Sequence, residues 1–116
     1  MAVVTGSDAV ETLVERSDDV RAAVLLDPAG GLIAAAGLPG REAERSLAGL
    51  AHELVVASDA AAAEPIEQIE AQTGDGAAFA ARDARHVLAC VTKRLALPSL
   101  VLYDLSQTLR SLGGDA

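Results

Sequence analysis

Residues 20–27, VRAAVLLD, are apolar at nearly every position, so both faces of a strand drawn through them are apolar. Such a strand must be covered on both sides, which calls for a layer of structure on each face of its sheet. PAGG (28–31) supplies the constrained dihedrals of a turn, and LIAAAG (32–37) returns as a second strand. The pair reads as an antiparallel hairpin inside a three-layer domain.

The layers around that hairpin must be aliphatic. Hydrophobic residues make up 51% of the 116-residue chain but aromatics only 2%, Phe79 and Tyr103 being the whole stock. The 25 alanines point to thin, closely approached layers. The length suits one domain over 1–116, with its core in about 8–112, and the composition is that of a folded chain.

Elsewhere the periodicity is readable. Residues 8–17 suggest a helix, with Asp8 and Glu11 as a capping-box-like start and Val10, Leu13 and Val14 as one stripe. LPG (38–40) breaks the chain before a second helix at 41–63. IEQIEAQT (66–73) has the mixed character of an edge strand, and GDG (74–76) that of a hairpin turn. AAFAAR (77–82) and VLACVT (87–92) are two more strands joined by DARH. LPSLVLYDLSQTLRSL (97–112) is a last helix, with Pro98 in its first turn and Val101, Leu105, Leu109 and Leu112 at helical spacing. The order is helix, two strands, helix, three strands, helix. It predicts an α/β fold, a five-stranded antiparallel sheet with helices on its faces.

The helix at 41–63 carries an anomaly. At ~100° per residue, Leu47, Leu50, Ala51, Leu54, Ser58 and Ala61 share a face assigned to the sheet. The opposite side holds Gly49, Val56, Ala60 and Ala63, flanked by His52 and Glu53. Small residues let another backbone approach closely, and a contiguous exposed apolar patch marks an interface. Another protein is the expected cover.

Chemistry is sparse. A net charge of −8 with a single lysine, Lys93, argues against nucleic acid and against an anionic membrane surface. No glycine-rich turn ends in Lys-Ser/Thr as a phosphate loop requires. Cys90 is the only cysteine, which excludes an intrachain disulfide or a thiolate metal cluster, and its mid-strand setting reads as structural. His52 and His86 are too isolated to form a base or ligand pair. Arg82, Arg85 and His86 make a modest basic spot at one hairpin tip. No catalytic residue, metal or cofactor is expected, and no enzyme. The N-terminus lacks the pattern of a signal peptide, and no stretch approaches the ~20 apolar residues of a membrane span. A cytoplasmic protein without membrane insertion is the expectation.

AAVLLDPAGGLIAAAG, the Ala/Leu-rich second helix, IEQIEAQTGDGAAFAARDARHVLACVT and LALPSLVLYDLSQTLRSL, in this order and spacing, resemble the roadblock family, named for dynein-associated light chains. Pro98 departs from the small or polar residue the pattern carries there. The resemblance implies a profilin-like α/β/α sandwich that homodimerises through its second helix and third strand, joining two sheets into one. It also implies a Ras-like small GTPase as partner. In one bacterial branch the paired second helices form a platform that speeds GTP hydrolysis by repositioning the GTPase's own residues. On this chain the seam would then involve Val56, Ala60, Ala63, Ile66, Gln68, Ile69 and Glu70, and the GTPase contact Gly49, His52, Glu53 and Val56. Two alternatives stand beside a GTPase regulator or scaffold. One is a dimeric interaction module of a sensor-kinase or motility system without GTPase contact. The other is a small-molecule sensor, which the alanine-filled interior equips with few polar anchors.

Overall fold

The doubly apolar segment is the strand β1 (Val20–Leu26), buried along its length except at Arg21. The computed structural model describes residues 5–62, 67–72, 76–93 and 96–113. In these, β1 follows a helix α1 (Gly6–Arg16) and precedes β2 (Leu32–Ala36), α2 (Arg41–Ala61), β3 (Gln68–Gln72), β4 (Gly76–Arg82), β5 (Val87–Lys93) and α3 (Pro98–Gly113). This is the expected order. The strands form one antiparallel sheet, β2-β1-β5-β4-β3, which puts β3 and β2 at its two edges.

The period-2 alternation of β1 sorts its side chains between two cores. Ala23 and Leu25 meet Val10 and Leu13 of α1 and Val101, Leu105 and Leu109 of α3, together with Phe79, Leu88 and Cys90. Val24 and Leu26 face the other way, toward Ala48, Ala51 and Val55 of α2, with Ala80, Val87 and Ala89. The result is an α/β/α sandwich with α1 and α3 on one face and α2 on the other. Leu25, Leu26, Leu88 and Leu105 are fully buried, each contributing about 1.5–3 kcal/mol relative to exposure.

Local chemistry fixes the connections. The Thr5 side chain, not Asp8, caps α1: its Oγ1 accepts the Asp8 N–H at 3.1 Å, so the helix starts two residues before the expected point. The Asp27 carboxylate accepts the N–H groups of Ala29 (2.9 Å) and Gly31 (2.8 Å), closing the β1–β2 turn. Gly37 ends β2 at φ 82, and a Cβ there would lie 2.2 Å from the Arg21 carbonyl oxygen. Asp83 accepts the Arg85 and His86 N–H groups, each at 2.8 Å, to close the β4–β5 turn. Pro98 opens α3, where its missing N–H costs little.

One expectation is corrected. The face of α2 toward the sheet is Ala48, Ala51 and Val55, with Leu47 at its flank, whereas Leu50 and Ala61 are exposed. The strands beneath present Val24, Leu26, Ala80 and Ala89, and small residues on α2 let the helix sit close upon them. Ala63, Ile66 and most of GDG lie outside the described residues.

Candidate interaction surface

Several of the described residues capable of chemistry take structural roles. Cys90 is buried among the α1- and α3-side core, and burial pushes its thiol up to about 12, so no thiolate forms near neutral pH. The expected basic spot is divided, because the Arg82 guanidinium donates to the Asp59 carboxylate of α2. His86 lies over the turn with its Nδ1 3.9 Å from Asp83 Oδ1, beyond a hydrogen bond. A cleft of about 330 Å³ runs between α1 and α3, past Thr12, Arg16, Asp104 and Thr108. Part of its polarity is already satisfied, since Ser17 Oγ donates to Asp104 Oδ2 at 2.7 Å and Thr108 Oγ1 to the Asp104 carbonyl at 2.9 Å.

The open surface is the outer face of α2. Glu53 and Ala60 run along its middle, with Leu50 and Val56 to either side, 63% and 53% exposed. Gly49 adjoins them, and a Cβ added there would meet nothing within 4 Å. Gly49, Glu53, Val56 and Ala60 are thus brought together, as the sequence predicts. His52 is turned aside, its imidazole packed over Gly30 of the β1–β2 turn. Leu50 belongs to this surface and was hidden by its own hydrophobicity, which assigned it to the core. A second exposed row, Leu97 just before α3 with Leu100 and Tyr103 on it, lies across the sheet.

Beside α2 lies the free edge of β3. The Arg82 N–H donates to the Glu67 carbonyl at 3.0 Å, and residues 67 and 82 continue the β3–β4 register. Alternation along an antiparallel ladder then turns the backbone groups of Ile69 and Ala71 toward β4 and those of Gln68, Glu70 and Gln72 outward. Ile69 packs into the same core as Val55, so α2 and the open edge adjoin. Gln68 Nε2 reaches Ser106 Oγ at 3.4 Å, and Gln72 Nε2 donates to Glu70 Oε2 at 2.6 Å. The edge is polar in its side chains and unpaired in its backbone within the described residues.

The Roadblock/LC7 domain profile matches residues 7–93, ending where β5 ends. Among solved structures, the chain is similar to a Roadblock/LC7 domain from Streptomyces avermitilis, with 21% identity, TM-score 0.83, and coverage of 90% of this chain and 92% of that one. It is similar to Myxococcus xanthus MglB at 19% identity and TM-score 0.77, covering 90% and 81% of the two chains. Acanthamoeba castellanii profilin II, at 13% identity and TM-score 0.64, covers 94% of this chain and 98% of its own, so the sandwich is profilin-like. No curated protein matches in sequence. With the profile spanning most of its length and the architecture shared, the chain belongs to the Roadblock/LC7 domain family.

Proposed function

We propose that the protein is a non-catalytic, homodimeric regulator or scaffold of a Ras-like small GTPase. One observation carries the reading: an exposed aliphatic helix face, Leu50 to Val56, stands beside a sheet edge whose backbone groups are unpaired within the described residues. An apolar patch and a free edge are each a liability in a lone subunit, and pairing α2 with α2 and β3 with β3 relieves both.

In this dimer Val56, Ala60, Gln68, Ile69 and Glu70 form the seam; Ala63 and Ile66, expected beside them from the sequence, lie outside the described residues. Gly49, Glu53 and Val56, with His52 at the flank, repeat across the twofold axis as a shallow surface on which a GTPase switch region lies flat. Shape and hydrogen bonds are all the protein contributes. Orienting the attacking water speeds hydrolysis without an arginine supplied in trans.

The test is titration of the purified protein against a Ras-like GTPase encoded beside it, loaded with GDP or a GTP analogue, after light scattering has fixed the oligomeric state. Gly49→Arg, which adds bulk into open space, abolishes GTPase binding and leaves the fold intact. A dimer that binds neither form replaces this reading with the interaction module of a kinase or motility system. A monomer removes both.

A further inference from the structure

The helical layer on the far side of the sheet from α2 carries two unlike rows on its outer surface. On α3, Leu100 and Tyr103 are exposed, as is Leu97 just before the helix. Spaced by three, they form a stripe that turns away from the core contacts Val101, Leu105 and Leu109. On α1, Asp8, Glu11 and Glu15 are exposed and recur at steps of three and four, so they share the face opposite Val10 and Leu13. Together the two helices hold four carboxylates against two guanidinium groups, those of Arg16 and Arg110.

A groove runs between the rows. The cleft of about 330 Å³ separates α1 from α3, and a second of about 200 Å³ adjoins it where α1 ends, bordered by Leu100, Asp18 and Asp104. Apolar and acidic groups thus face one space. Ser17 occupies one oxygen of Asp104, and Lys93 engages Asp19 at 3.5 Å. Glu11, Glu15 and Asp18 form no ion pair among the described residues. Arg16 is the one basic group lining either cleft among the described residues.

Charge decides what covers such a stripe. A second copy brings the same acids, in a chain of net charge −8. An anionic membrane or a nucleic acid is repelled for the same reason. A cationic protein segment is attracted, and finds carboxylates on α1 and the π face of an exposed tyrosine on α3. A third helix fits the groove between two at the usual spacing of about 8–10 Å.

We propose that the α1–α3 groove docks a basic amphipathic helix of another protein. Its apolar residues lie on Leu97, Leu100 and Tyr103, and its cations turn toward Glu11, Glu15 and Asp18. The sheet separates this groove from α2, so the docking goes beyond the GTPase reading and does not depend on it.

The probe is a synthetic helix-forming peptide about 14 residues long, with leucines on one face and lysines and arginines on the other. Calorimetric titration into the full chain should show binding that weakens as salt is raised. Leu100→Ser combined with Tyr103→Ser should raise the dissociation constant about tenfold, by removing half-exposed apolar surface. Glu11→Lys combined with Glu15→Lys should raise it by about as much and flatten the salt dependence. All four positions are exposed, so circular dichroism should match the parent's. Should the α3 pair misfold, Leu100→Ser alone carries the comparison. Leu50→Ser, on the α2 face, should bind like the parent.

A parent that does not bind the peptide overturns the proposal. So does equal binding of a peptide with the same composition and scrambled leucines, or of one with glutamates for its cations. Loss of binding in Leu50→Ser moves the site to α2 and overturns it too. Sedimentation that shows weaker self-association in the α3 variant makes a second copy the occupant. Pelleting with phosphatidylserine vesicles that the α3 variant abolishes makes it a membrane. Either result overturns the proposal. A monomeric parent that binds the peptide removes the dimer reading and keeps the groove.

Discussion

Glu70 and Phe79 stand opposite each other across β3 and β4. By the alternation set at Glu67 and Arg82 they form a non-hydrogen-bonded pair, with the backbone groups of Glu70 directed away from β4. Proline at position 70 therefore removes a donor the subunit itself does not use, whereas proline at Ile69 removes a bond to β4 and disturbs a core contact. Glu70→Pro is expected to weaken self-association while keeping the unfolding midpoint near the parent's. Ile69→Pro should lower stability by about 1–3 kcal/mol. Urea titration beside light scattering reads both, and equal behaviour of the two variants would show that β3 is not the seam.

Val55 and Val56 are neighbours with opposite surroundings, the first 7% exposed against the sheet and the second 53% exposed on the outer face. A charge at 55 is buried without a partner and should prevent folding. The same charge at 56 leaves circular dichroism unchanged and shifts the species toward monomer, by tenfold or more in dissociation constant if the contact is desolvated. Leu50→Asp should behave like Val56→Asp.

Cys90 ties stability to alkaline pH. Burial raises its thiol to about 12 from an ordinary 9.0, the Asp104 charge adds to the rise, and a backbone hydrogen bond at Phe79 opposes it. The folded state therefore holds this proton more tightly than the unfolded one. Its contribution is full below about pH 9 and is lost as the pH climbs toward 12. Urea midpoints from pH 8 to 11 should fall more steeply for the parent than for Cys90→Ala. At pH 8 the native thiol should resist disulfide reagents until urea unfolds the chain.

Two glycines give opposite signs on substitution by alanine. At Gly49, mid-helix and open, alanine should stabilise by about 0.5–1 kcal/mol through lower chain entropy. At Gly37, with φ 82 and a Cβ only 2.2 Å from the Arg21 carbonyl oxygen, alanine should cost about 1–3 kcal/mol or more. Thermal unfolding of the pair separates the two effects.

The strands were legible because β1 and β5 are apolar on both faces, and only an interior strand of a three-layer fold has such neighbours. The segments PAGG and DARH marked the hairpins, and the structure closes both turns with side-chain bonds from Asp27 and Asp83. The phase of α2 was harder to read. In a helix so rich in alanine the contrast between faces is small, and the leucines draw the assignment. Contact with the sheet is instead decided by room, which Ala48 and Ala51 fit and Leu50 does not. The Arg82–Asp59 pair could not be read either, since it joins residues 23 apart whose meeting depends on where α2 lands.

The aromatic poverty of the chain has an optical consequence. With no tryptophan, Tyr103 is its only strong intrinsic fluorophore, and it sits 61% exposed on α3, with the sheet between it and α2. Its emission is quenched or enhanced by whatever approaches α3 and is nearly blind to events on α2. The molecule thus reports in light on one face only, and docking on the other stays dark unless a dye is attached.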